Sequence, residues 1–112
     1  MGVQIREMPD DAARSLDKAL HEAGLTVVLS ECTPPGMPDV QGTEIRCRRG
    51  KDEQTVRLFP HPRTTGERWI MIPVPWSVRP WVSKRRRDLH LDVVDVIDRN
   101  GGHFPFSPPS HA

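Results

Sequence analysis

TEIRCRRGKDEQTVRLF, residues 43–59, is the stretch that decides the fold. Two runs of alternating side chains flank Gly50-Lys51. Whether the loop is that pair in a type II′ turn or the four residues Arg49 to Asp52, Arg48 comes to lie opposite Glu53. Counting back sets Ile45 opposite Val56 and Glu44 opposite Arg57. One face then carries Ile45, Cys47, Val56 and Leu58, and the other carries Glu44, Arg46, Arg48, Glu53, Thr55 and Arg57. A hairpin patterned this way needs cover on one side only, which predicts a layer of helix over the apolar face.

The sequence on either side supplies that layer and more sheet. Leu25 to Ser30 (LTVVLS) is β-branched and apolar enough for a buried strand, and TPPGMPDVQG, residues 33–42, is a loop by composition. After the loop PHPRTTG, residues 60–66, ERWIMIPV over residues 67–74 predicts a third long strand, with Pro73 and Pro75 suited to a frayed end or a sheet edge. Between Pro9 and Gly24, Ala12, Leu16, Ala19, Leu20 and Ala23 recur at helical spacing, with Asp10 placed to cap and Asp11 in the first turn. A second helix is expected with Ser77 as its cap and Pro80 in its first turn. Val78, Trp81, Val82, Arg85, Leu89, Val93, Val96 and Ile97 fall near one stripe, and Asn100-Gly101-Gly102 stops the run. The β-rich composition of LHLDVVDVI leaves a strand as the alternative over residues 89 to 97. Val3 and Ile5 alternate with polar neighbours, a pattern shared by a short leading strand and an ordered arm.

The expected order is α-β-β-β-α. It forms one α+β domain over residues 1–102, built on a small, mainly antiparallel three-stranded sheet with two helices packed on one face and a short extra N-terminal strand as an option. Residues 103–112 (HFPFSPPSHA) form a tail containing Pro and Phe, expected to fold back over the sheet or to serve as a proline-rich ligand. With 112 residues there is room for one core of ordinary size and not for two.

Composition narrows the functional classes. Sixteen basic and fifteen acidic residues leave a net charge of +1, so no global field draws the chain to nucleic acid or an anionic membrane, and any charged partner must meet a local patch. Cys32 and Cys47 form no CxxC and have no His at zinc-ligand spacing, so they are expected as packed thiols. The leading residues MGVQIREMPDDAA carry charges where a signal peptide needs its apolar stretch, and no run approaches the length of a membrane span, which predicts a cytoplasmic protein. No GxGxxG, P-loop or GxSxG is present, and no small-molecule cofactor or metal is signalled.

The sharpest local feature is Ser83-Lys84-Arg85-Arg86-Arg87-Asp88, which follows Trp76 and Trp81. Cations beside an indole can hold phosphates while the ring stacks on a base, so Arg79, Lys84, Arg85, Arg86 and Arg87 with Trp76 and Trp81 are the candidate binding residues for RNA or DNA. Charge along this helix runs against its dipole: the cations come first, and Asp88, Asp92, Asp95 and Asp98 follow. The hairpin arginines form a weaker patch, because Glu53 and Glu44 face Arg48 and Arg57. Among five histidines, His61 in PHPR is the one candidate for acid-base catalysis, beside Arg63, as in a small toxin-like ribonuclease. With no catalytic constellation around it, the leading expectation is a non-enzymatic interaction or regulatory module. It would bind a protein partner or a second copy of itself through the uncovered sheet face, where Trp69 and Met71 point, and through the start of the second helix.

Overall fold

In the computed structural model, which describes residues 2–77 and 80–105, the chain forms a five-stranded antiparallel sheet with its helices on one side. Val78, Arg79 and the tail beyond Pro105, Phe106 and His111 included, lie outside the described residues. The strands are β1 (Val3–Pro9), β2 (Thr26–Cys32), β3 (Gly42–Arg49), β4 (Asp52–Pro60) and β5 (Glu67–Pro73), in spatial order β1-β5-β4-β3-β2. The helices are α1 (Asp10–Arg14), α2 (Leu16–Glu22) and α3 (Lys84–Arg99), with a single 3-10 turn over Pro75–Ser77.

The hairpin has the expected register: Ile45 pairs with Val56, Glu44 with Arg57 and Arg48 with Glu53. Gly50 opens the two-residue loop at φ +61°, the sign a type II′ turn requires at its first central position. Ile45, Cys47, Val56 and Leu58 are all buried, together with Ile70 and Ile72 of β5, beneath Leu16 and Leu20 of α2 and Leu89, Val93, Val96 and Ile97 of α3. The core is thus a single layer between the sheet and the helices.

The expected sheet of three strands is too small. The four segments marked as extended each take a place of their own, and Val3 and Ile5 begin a full seven-residue strand along β5. The reason lies in pairing: a short alternating run is too weak a local signal, but β5 offers it a complete ladder from Val3–Pro73 to Pro9–Glu67. The first helix also differs, breaking at Ser15 into α1 and α2. Asp10 does not cap it. The Asp10 carboxylate instead accepts from Arg68 Nε at 2.6 Å and pairs with Arg14, and that bonding, Arg68 first, holds its pKa below the ordinary carboxylate value.

The second helix starts six residues later than expected. Ser83, not Ser77, caps it, its hydroxyl accepting from the Arg86 amide at 3.1 Å. Ser77 bonds the Val74 carbonyl instead, and Pro80, Trp81 and Val82 lie outside any helix. Residues 89 to 97 are helical. Each aspartate of α3 has a cation: Asp88 meets Lys84, Asp92 meets Arg49, Asp95 meets Arg99 and Asp98 meets Arg6. Those pairs offset the unfavourable order of charge along the helix.

No described helix is long and apolar enough to cross a membrane.

Candidate functional site

The cations of the α3 start do not act as one patch. Lys84 is tied to Asp88 at 3.1 Å, Arg87 lies over the Trp76 ring at 5.7 Å, and Arg86 turns inward, half-buried. Burial pulls the Arg86 guanidinium below its ordinary pKa, against the pull of Asp52 and Glu53. Arg85 stays in solvent. Together with Ser83 and Asp88 it faces Arg49, Gly50, Lys51 and Asp52 of the hairpin tip across a cleft of about 420 Å³. Trp81, three residues before α3, is 91% exposed. Trp69 is half-buried on the open face, and Trp76 covers the ring of His90 edge-on at 5.1 Å. Arg79 lies outside the described residues.

His90 is a feature that sequence reasoning passed over. It sits on the apolar stripe between Leu89 and Val93, which was the available signal, and is fully buried. Gln54 Nε2 donates to the carbonyls of Thr55 and Pro73, so Gln54 Oε1 can only accept, and His90 Nδ1 must be the donor at 3.1 Å. His90 Nε2 is then a bare acceptor without a partner among the described residues. Burial first, and then the nearby positive charges of Arg86 and Arg6, lower the His90 pKa, which keeps the ring neutral.

His61 is held differently. Its Nδ1 accepts from the backbone N–H of Arg63 at 3.0 Å and of Thr64 at 2.8 Å, and its Nε2 donates to the Glu7 carboxylate. The ring packs edge-on against Trp69 at 5.6 Å, and its side chain is nearly buried. Both nitrogens are therefore engaged in shaping the loop after β4 and fastening it to β1, which leaves no free base nitrogen for proton transfer. Glu7 could not have been picked from sequence, being fifty-four residues from His61.

Cys47 is buried, and burial pushes its thiol up to about 12, far from a reactive thiolate. The described residues contain no cluster of His, Cys, Asp and Glu able to hold a metal ion.

What remains is the sheet itself. All described helices lie on one side, so no described helix covers the other. Its β1-β5 half carries Val3, Ile5, Trp69 and Met71, and its β3-β4 half carries Arg46, Arg48, Arg57, Glu44 and Glu53. Phe59 and Glu7 are buried on that side, the Phe59 ring resting on Gly42, where an added Cβ would lie 2.4 Å from Cδ1.

The two edges of the sheet are unlike. Along β1 the Glu7 amide donates to His103 O at 2.8 Å and Glu7 O accepts from the His103 amide at 2.9 Å. Pro9 ends the strand, Arg6 Nε bonds Asp98 at 2.9 Å, and Phe104 lies over the Arg6 guanidinium at 4.1 Å. Along β2 no described segment pairs with the outer edge. At its centre Val28 is 50% and Leu29 51% exposed. LTVVLS was expected to be a buried strand, because its composition is that of a core; position at the end of a sheet is decided by strand order, which no local pattern records.

No known protein family, curated protein or solved structure matches the chain.

Proposed function

We propose that this chain is a non-enzymatic recognition module that binds polypeptide in extended form by adding it to the outer edge of β2. The observation that supports this reading is the seven-residue β2 edge, unpaired among the described residues and with Val28 and Leu29 half-exposed at its middle, in a sheet whose opposite edge is bridged at Glu7. The Gly50-Lys51 loop makes Arg49 and Asp52 a hydrogen-bonded pair, and the alternation of antiparallel ladders then turns Thr26, Val28 and Ser30 toward β3. Val27, Leu29 and Glu31 present their N–H and C=O groups to the free side. A strand laid there gains main-chain hydrogen bonds, and its side chains meet Val27 and Leu29 on the helix side and Val28 on the open side.

Peptides selected from a random library against the purified protein test this. The expected outcome is enrichment of extended peptides with alternating apolar residues, whose binding falls about tenfold, or about 1.4 kcal/mol, in Val28→Lys. Failure of a monomeric protein to enrich any peptide, or binding indifferent to Val28→Lys, overturns the reading.

A second reading has an observation of its own: Trp81 stands out in solvent four residues before Arg85, which shares a cleft with Lys51. An indole free to stack and cations free to hold phosphate suit single-stranded nucleic acid. Anisotropy titration with a single-stranded oligonucleotide at low salt is the test. Binding that weakens with salt and in Arg85→Ala supports it, and no binding at low salt eliminates it.

A further inference from the structure

We propose that the occupant of the β2 edge is the β2 edge of a second copy, paired antiparallel about a two-fold axis through Val28, so that two sheets run on as one. This deepens the polypeptide-binding reading and rests on it.

The argument begins with parity. Two identical strands related by a two-fold axis pair antiparallel, and each presents the same outward set, Val27, Leu29 and Glu31. An axis at Val28 sets Val27 against Leu29 of the second copy, so outward groups meet outward groups. The side chains then match by kind: Val27 with Leu29 on the helix side, Thr26 with Ser30 on the open side, and Val28 with itself.

Charge agrees with this register. TVVLSEC has one ionised residue, Glu31, and in this pairing the two copies of Glu31 stand about 20 Å apart along the strands, at ~3.4 Å per residue, so no like charges meet. The centre of β2 also lacks the devices that keep an edge from pairing with its like: it has no lysine and no proline, and its one charge on the helix side, Glu31, stands three residues from the axis, whereas β1 has Pro9 and Arg6.

Cover for Leu29 favours a copy over a foreign peptide. Leu29 shares the helix-side parity of Val27, Ile45 and Cys47, yet it is half-exposed, because the helix layer stops short of it. A bare peptide strand adds no helix. A second copy sets against Leu29 a Val27 that is already packed on its own helix-covered core.

Val28→Cys in a Cys32→Ser background is the direct test, because facing residues at a non-hydrogen-bonded antiparallel position are close enough for a disulfide. Under mild oxidation the Val28→Cys protein is expected to run as a disulfide-linked dimer on a non-reducing gel. Val3→Cys, at a comparably exposed position on β1, is expected to stay monomeric. Light scattering at about 100 μM should give twice the chain mass for the unmodified protein and the single mass for Leu29→Lys, with both showing the same circular dichroism. A single mass for the unmodified protein, or crosslinking at Val28 no better than at Val3, overturns the dimer. If selected peptides still bind in a manner sensitive to Val28→Lys, that overturns the dimer alone and leaves peptide recognition standing. If neither is found, both fall.

Discussion

β1 and β2 are the two outer strands of one sheet, seven residues each, and they solve the problem of being an edge in opposite ways. β1 is closed by three devices: a main-chain bridge to His103, a proline at its end, and a buried arginine held by Asp98 of α3. β2 has none of them and carries its two half-exposed aliphatic residues at the middle. The difference separates an edge tied into its own chain from one left to solvent. If β2 is the docking edge proposed above, side chains on β1 serve the stability of the single chain and side chains on β2 serve contact with another polypeptide, so comparable substitutions should register in different measurements.

The largest effect is expected at the closed edge. Arg6→Ala removes a buried guanidinium that bonds Asp98 at 2.9 Å and packs on Phe104. Asp98 is partly in solvent and can rehydrate, so the loss is smaller than for a fully buried pair: about 2–3 kcal/mol in urea unfolding. A loss below about 0.5 kcal/mol would mean that β1 is not held as described.

Next is the turn that brings the chain back to β1. An added Cβ at Gly102 would lie 2.6 Å from Ile97 Cγ2 and 2.8 Å from Ile97 O, so Gly102→Ala must push residue 103 away from Glu7. The expected cost is about 2 kcal/mol, with faster hydrogen exchange at the Glu7 amide as its local signature. An unchanged Glu7 exchange rate would break the link between the Gly101-Gly102 turn and edge closure.

How far all this was legible in the sequence follows from the range of each interaction. The hairpin register needed only Gly50-Lys51 and the alternation on both sides, and the residues named as inward from it are buried. The late start of α3 was not legible, since Ser77 and Ser83 are both acceptable caps and the choice turns on what Trp76 covers. His61 resembled a free loop base until the chain brought Glu7 to one nitrogen and two amides to the other. The contrast between the edges depends entirely on strand order. LTVVLS and VQIREMP gave no sign that the more apolar of the two would be the one left uncovered.

A titration separates the edges from the centre outward. His90 binds no proton in the fold at neutral pH because burial and the charges of Arg86 and Arg6 lower its pKa, while the unfolded chain has the ordinary value near 6.5. The unfolded state therefore takes up protons first as the pH falls. The contribution to stability is whole above about pH 6.5 and is lost below it, by at most about 1.4 kcal/mol per pH unit. His90→Gln should remove that part of the slope between pH 7 and 5. Because Asp98 and His103 follow from α3, the Glu7 amide should lose protection in acid before the ladder between β2 and β3 does. Equal slopes in the two proteins would refute the assignment to His90.

The smallest expected effect is the one that completes the comparison. Val28→Thr exchanges a half-exposed methyl for a hydroxyl on a strand whose outer side faces water, and threonine keeps the β-branched shape that suits a strand. In dilute protein, where chains are separate, unfolding free energy should change by less than about 0.5 kcal/mol, against the two or three expected at Arg6. In concentrated protein the same substitution sets a hydroxyl against its twin at the centre of the paired strands, and association should weaken severalfold. If Val28→Thr instead destabilises the separate chain as strongly as Arg6→Ala does, β2 is part of the folding core and the two edges are not different in kind.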